Sequence, residues 1–298
     1  MQRSGKTTFL GWFRSSPGRL WKAGLACLLL LLFFALAGSA YYAFEIEPAT
    51  LILRHRTLFL KNWRPEHDGL RVMLISDIHQ GKTPDAFSRL EKVVELSNGQ
   101  DPDLVFLLGD FIGEAGRRAT PEDTAEVLSG LKSRHGVYAV LGNHDWWYDG
   151  MRVRRALEKY HIPVLENENA VREINGKKLN ILGLPDRETR PWLVQKGLVR
   201  TDENHPTLIL SHSPDYFREL RIPFELMLSG HTHGGQIALP FFGPLAVPSD
   251  YGKEHAKGLL DAGQQKLFIT VGVGMSLLPA RFMCPPEIVL LTLRRAAE

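Results

Sequence analysis

An α/β domain behind one N-terminal transmembrane helix is the fold class this sequence predicts, and three observations predict it. Residues 23–44 carry no charged side chain. From residue 70 onward, short apolar runs of strand character alternate with longer segments of helical spacing. Several Asp, His and Asn residues fall directly after those strand-like runs.

The uncharged run is long enough to span a hydrocarbon core as a helix, and its centre is Leu28 to Leu32 followed by Phe33 and Phe34. Tyr41 and Tyr42 fall where an interfacial aromatic belt is expected, and Arg3, Lys6, Arg14, Arg19 and Lys22 precede the run. Basic flanks stay cytoplasmic, which directs the C-terminal bulk to the other face. Arg54, Arg56, Lys61 and Arg64 follow closely and weaken that asymmetry. Ala35, Ala37 and Ala40 resemble a cleavage site, so a removed signal peptide competes with an anchor; the length of the run favours the anchor. The predicted organisation is a basic segment at 1–22, a span at 23–44, a membrane-proximal segment at 45–69 and one folded domain at 70–298.

Composition bounds the rest. The 298 residues are 44% hydrophobic, ordinary for a globular protein. Against 33 Asp plus Glu stand 36 Lys plus Arg, a net charge of +3 that gives no reason to expect a nucleic-acid partner. Cys27 and Cys284 are the only cysteines, so no disulfide framework is implied. No protein partner is indicated either.

Residues 51–59 alternate loosely, as an edge strand near the membrane would. Strands are predicted at 71–76, 104–108, 137–141, 179–184, 207–211, 225–229, 267–271 and 287–293. A helix over 84–96 opens with Pro84 and places Phe87, Leu90, Val93 and Val94 at helical spacing before Asn98-Gly99. Thr120-Pro121-Glu122-Asp123 reads as a cap and acidic first turn, with Val127, Leu128 and Leu131 following. A third helix is predicted over 149–160.

Asp77 and His79 follow the first of the regular strands, Asp110 the second, Asn143 and His144 the third; His212, His231 and His233 follow two later ones. In α/β sheets, ligands bind beyond the carboxyl ends of strands. Side-by-side strands would therefore gather these residues although they are far apart in sequence. Four imidazoles, two carboxylates and an amide oxygen favour Mn, Fe, Co, Ni or Zn over Ca or Mg. Two ions are expected, with Asp110 bridging them. Two Asp charges against two dications leave the pocket positive, so an anionic phosphate is its natural guest. Such a pair activates water and clamps phosphoryl oxygens, and His144 is the candidate general acid for the leaving group.

Asp77-Ile78-His79, Gly109-Asp110, Gly142-Asn143-His144-Asp145, Ser211-His212 and Gly230-His231-Thr232-His233 resemble, in order, the blocks of the calcineurin-like metallophosphoesterases. The resemblance covers about residues 70–293. It implies a four-layer α/β/β/α sandwich. It also implies that Asp77, His79, Asp110 and His233 hold one metal, that Asp110, Asn143, His212 and His231 hold the other, and that His144 assists catalysis. The segments Gly234-Gly235-Gln236-Ile237, Leu239-Pro240-Phe241 and Pro279-Ala280-Arg281 are similar to the bacterial membrane-anchored phosphodiesterase branch, which is related to UDP-2,3-diacylglucosamine pyrophosphatases. The branch implies a single-pass protein of the bacterial inner membrane that meets the lipid bilayer and a phosphorylated, lipid-linked substrate. The charge pattern places the catalytic domain on the non-cytoplasmic side, whereas a UDP-linked lipid would suit the cytoplasmic one.

Trp146 and Arg281 are candidate substrate contacts, with packing and surface roles as their alternatives; Trp147 and Tyr148, which follow Trp146 directly, are expected either to line the same groove or to pack. Asp145 either buttresses His144 or a ligand, or serves a turn. The apolar stretch 238–247, with Phe241 and Phe242, either packs in the core or meets lipid. His55, His67, His135, His161, His205 and His255 are expected to be structural or surface residues. A phosphoprotein phosphatase with the same metals and a non-catalytic scaffold are the competing functions.

Overall fold

The computed structural model describes residues 17–81, 86–113, 119–195 and 197–297. The chain divides into two compact units, Met1–Tyr42 and Ala43–Glu298. In the first, the helix Pro17–Tyr41 carries the apolar run, and residues 21–42 are exposed throughout. By length and composition it can cross a membrane. Arg3, Lys6 and Arg14, expected as cytoplasmic flanks, lie outside the described residues, as does Pro84.

The second unit contains thirteen strands among its described residues: β1 (Ile52–Leu60), β2 (Leu70–Ile75), β3 (Leu104–Leu107), β4 (Val137–Ala139), β5 (Glu168–Ile174), β6 (Lys177–Gly183), β7 (Thr207–Leu210), β8 (Leu226–Ser229), β9 (Ala238–Leu239), β10 (Gly243–Pro244), β11 (Gly258–Ala262), β12 (Gln265–Ile269) and β13 (Glu287–Arg295). One sheet runs β1-β13-β2-β3-β4 and the other β11-β12-β8-β7-β6-β5, while β9 and β10 form a separate hairpin. Residues 45–69 lie inside this unit, because β1 pairs in parallel with β13 along its whole length.

Period-two alternation sorts the side chains into layers. Along β2, β3 and β13 the two faces divide cleanly. Val72, Leu74, Phe106, Val289 and Leu291 face the second sheet, where they meet Leu179, Ile181, Leu208, Leu210 and Leu228. Met73, Ile75, Val105, Leu107, Ile288 and Leu290 face the other way, onto Leu90, Val93, Leu128, Val153 and Leu157 of three helices. The outer face of the second sheet, with Leu182, Ile209 and Met227, is covered by Tyr216, Phe217 and Phe224. The result is the α/β/β/α sandwich. Strands buried on both faces read as continuous apolar runs, which is why they are prominent in the sequence.

The helices over the first sheet are Ala86–Asn98, Pro121–Leu128 and Asn143–Lys159. Thr120 caps the second: its Oγ1 accepts the Asp123 N–H at 3.1 Å, and the Asp123 carboxylate accepts the Thr120 N–H at 3.2 Å. The third begins at Asn143, well before the expected start at 149, and breaks at Asp149, whose φ of −175° and ψ of 82° are non-helical. Asn143 and His144 therefore occupy its first turn, at the end of β4.

Candidate metal centre

β2, β3 and β4 run parallel, as do β6, β7, β8 and β12. Their carboxyl ends thus point to common edges, and the turns that leave them are bonded together. The Asp77 N–H donates to the Gly109 carbonyl at 3.0 Å, and the His79 N–H to the Asp110 carbonyl at 2.9 Å. Asp77, His79, Asp110, His231 and His233 all adopt positive φ, between 47° and 70°. Left-handed backbone is costly for such residues and concentrates at functional sites. At Gly230 and Gly142 the crowding leaves no room for a side chain: a Cβ would strike Ser76 and Asp77 at the first, Asp110 and the His212 ring at the second.

All seven expected ligands converge. Asp77, His79 and His233 bring ligand atoms within 4.8 Å of one another, as do Asp110, His212 and His231, and as do His79, Asp110 and His144. Asp110 links the sets: its Oδ2 is 3.4 Å from His79 Nε2 and 3.2 Å from His212 Nε2. Asn143 Oδ1 lies 3.1 Å from His212 Nε2. His79 Nε2 faces His233 Nε2 at 3.1 Å, and His231 Nδ1 faces His212 Nε2 at the same distance. Imidazole nitrogens aimed at each other beside a shared carboxylate fit a pair of transition cations.

The surroundings fix the donors. His212 Nδ1 is 2.8 Å from the Leu108 carbonyl, which leaves Nε2 for the centre. The His231 N–H donates to both Asp77 oxygens at 3.1 Å. Asp145 is wholly buried and accepts four backbone N–H groups, from Asp110, Phe111, Ile112 and Gly142, at 2.8 to 3.2 Å. It is a buttress for the Asp110 turn. The protein's own groups already show the site's demand for positive charge. Burial pushes the Asp110 carboxyl up, but the imidazoles of His212 and His79 outweigh it and hold it well below the carboxylate range. Burial likewise lowers His212, yet Asp110 overrides it and raises that imidazole to about 10. His233 goes the other way, down to about 4, because burial exceeds the pull of Asp77.

A cleft of about 780 Å³ opens over this cluster. Asp110, Asn143, His144, His231 and His233 are at its polar end, and Ile237, Leu245, Val247, Leu277 and Leu278 line it elsewhere. His144 is 7% exposed, with its ring centroid 4.6 Å from that of His79 and 4.7 Å from that of Trp147.

Two expected substrate contacts are corrected. Arg281 is fully buried; its guanidinium donates to the carbonyls of Gly274, Cys284 and Val271 at 2.6 to 3.0 Å, so it ties loops together and does not face the cleft. Trp146 packs against the helix-side core under Arg190, whose guanidinium carbon is 4.3 Å from its ring centroid, while the adjacent Trp147 lines the cleft. Asp186 and Glu188 also line it, and the sequence reading does not single them out. Asp186 follows β6 as the ligands follow their strands, so the same positional signal marks it.

Asp and His sets meeting over the strand ends of a two-sheet sandwich define a metallophosphoesterase, a phosphoester hydrolase of a dimetal-dependent class. The chain belongs to the calcineurin-like phosphoesterase family, whose description matches residues 70–235. An uncharacterized metallophosphoesterase of Bacillus subtilis (strain 168), YkuE, is 31% identical over 264 residues, covering 87% of this chain and 91% of that protein. The phosphodiesterase YaeI of Escherichia coli (strain K12) is 31% identical over 260 residues, covering 85% of this chain and 92% of its own. A Danio rerio transmembrane protein with metallophosphoesterase domain is 29% identical over 249 residues, or 77% of this chain and 54% of that one.

Proposed function

We propose that this chain is a two-metal phosphodiesterase that cleaves a phosphodiester or pyrophosphate bond in a lipid-linked substrate at a membrane. The observation that carries the proposal is the group of ligand sets linked by Asp110 at one end of a cleft that Ile237, Leu245, Val247, Leu277 and Leu278 line in part. Asp77, His79, Asp110 and His233 would hold one ion, and Asp110, Asn143, His212 and His231 the other. Bound there, Mn, Fe or Zn supplies Lewis acidity and an activated water for in-line attack. His144 stands over the cleft and donates a proton to the departing alkoxide. Asp186, Arg187 and Glu188 add charges of both signs to the lining, and the diester reading is supported by the relative that is named a phosphodiesterase.

The membrane part of the proposal is supported by the apolar helix and by a relative that is a transmembrane protein. Basic residues ahead of the helix favour a catalytic unit on the non-cytoplasmic face of a bacterial inner membrane. No nucleic-acid or protein partner is invoked. The test compares bis(p-nitrophenyl) phosphate with p-nitrophenyl phosphate, using full-length protein loaded with Mn. Faster diester turnover is expected. A preference for the monoester would favour the phosphoprotein phosphatase, and turnover of neither would favour a metal-binding scaffold. Lipid profiling of cells lacking the protein should then reveal one accumulated phosphorylated lipid.

A further inference from the structure

The apolar wall of the cleft continues onto open surface. Phe241, at the tip of the β9–β10 hairpin, is 107% exposed and Phe242 is 73% exposed; on the neighbouring loop Leu277 is 85% exposed. Leu245, Leu278 and Met283 are exposed beside them in the chain. Monomeric proteins seldom present so many large apolar side chains near one site without a partner for them. Lys253 donates to the Phe242 carbonyl at 2.7 Å, which sets an exposed cation at the base of the hairpin.

Residues 43–47, the first of the second unit after the apolar helix, are bonded to the loop that supports this rim. The Arg281 N–H donates to the Ala43 carbonyl at 2.9 Å, and Glu47 accepts the N–H groups of Met283, at 2.8 Å, and of Cys284. The Phe282 N–H donates to the Gln236 carbonyl at 3.0 Å, and the Ala238 N–H to the Phe282 carbonyl at 2.8 Å. Gln236 Nε2 donates to the Leu278 carbonyl at 2.8 Å, and its Oε1 accepts the Ser276 N–H at 2.8 Å. Residues 43–47 are thereby linked, through two short loops, to the hairpin, to the Leu277 loop and to the segment bearing His231 and His233.

We infer that Phe241, Phe242, Leu277 and Leu278 form a bilayer-inserting rim, which seats the mouth of the cleft at the lipid headgroups so that substrate enters laterally from the membrane. This deepens the membrane reading proposed above and rests on it. Aromatic and leucine side chains suit the headgroup–acyl boundary, and the Lys253 ammonium remains at the phosphate level.

The experiment measures insertion and needs no turnover. Full-length protein in phosphatidylethanolamine–phosphatidylglycerol vesicles, with Cys27→Ser to remove the exposed thiol, receives a nitroxide label at Phe241→Cys, Leu277→Cys or Glu173→Cys. Residue 173 is an exposed position on β5. Collision with oxygen, which concentrates in lipid, is compared with collision with a water-soluble nickel chelate. Oxygen should dominate at 241 and 277, and nickel at 173. Nickel-dominated collision at all three sites overturns the inference. Protection from both reagents at 241 and 277 also overturns it, because a second protein copy then covers the rim. A water-exposed rim would leave the diesterase reading standing, and failure of the diester assay would leave the insertion result standing.

Discussion

The two sheets bring unlike halves to the centre. The five-stranded sheet supplies both carboxylates, the amide of Asn143, one ligand imidazole and His144; the six-stranded sheet supplies only imidazoles, those of His212, His231 and His233. Four close pairings cross from one half to the other, His79 with His233, Asp110 with His212, Asn143 with His212, and the His231 N–H with Asp77, while His79 with Asp110 and His231 with His212 pair within one half. Neither sheet can hold two cations alone. The site is therefore a product of the inter-sheet packing, and bound metal should in turn act as a cross-link between the sheets.

Breaking the shared member should have the largest effect. Asp110→Asn is expected to lose both equivalents of metal and essentially all turnover, whereas Asn143→Ala should lose one equivalent and keep the other; metal analysis after desalting reads both. Retention of a full equivalent by the Asp110 variant would show that the halves bind independently. His144→Asn removes a group that the cross-link does not need. Turnover should fall roughly 10²–10⁴-fold with metal content unchanged, and normal turnover would remove His144 from the mechanism.

Smaller effects sharpen the same contrast. Asp145→Asn withdraws acceptors from the Asp110 turn and should weaken metal affinity roughly 10–100-fold, measured by competition with a chelating dye. Chelation should lower the melting temperature. A site held at one hundred times its dissociation constant contributes about 2.7 kcal/mol, worth roughly 5–10 °C in a domain of this size. An unchanged melting curve after complete metal removal would contradict the cross-link.

The centre is legible in the sequence because its residues follow strands buried on both faces, whose apolar runs cannot be missed. Where burial is one-sided the signal fades. β5 (Glu-Asn-Ala-Val-Arg-Glu-Ile) is mostly exposed and lacks an apolar run, although Asn175-Gly176 between it and β6, with φ of 52° and 76°, carries the two-residue hairpin signature. β11, another half-exposed edge, is hidden for the same reason. Residue type also misleads. A late Arg near a phosphate site suggests substrate contact, but Arg281 spends its donors on backbone carbonyls that no local pattern could forecast. Trp146 and Trp147 differ by one position on a helix, and only the path of that helix, set by its early start at Asn143, decides which of them faces the cleft.

The place of β13 bears on how the protein is made. It lies between β1 and β2, so the strand that presents Asp77 has one edge unfilled until residues 287–295 have been synthesised. At about 5–20 residues per second, the roughly 230 residues separating β1 from β13 take tens of seconds to translate. Throughout that interval two strand edges are open to wrong partners, and the nascent chain must wait for β13 before the metal-binding loops can be locked in register.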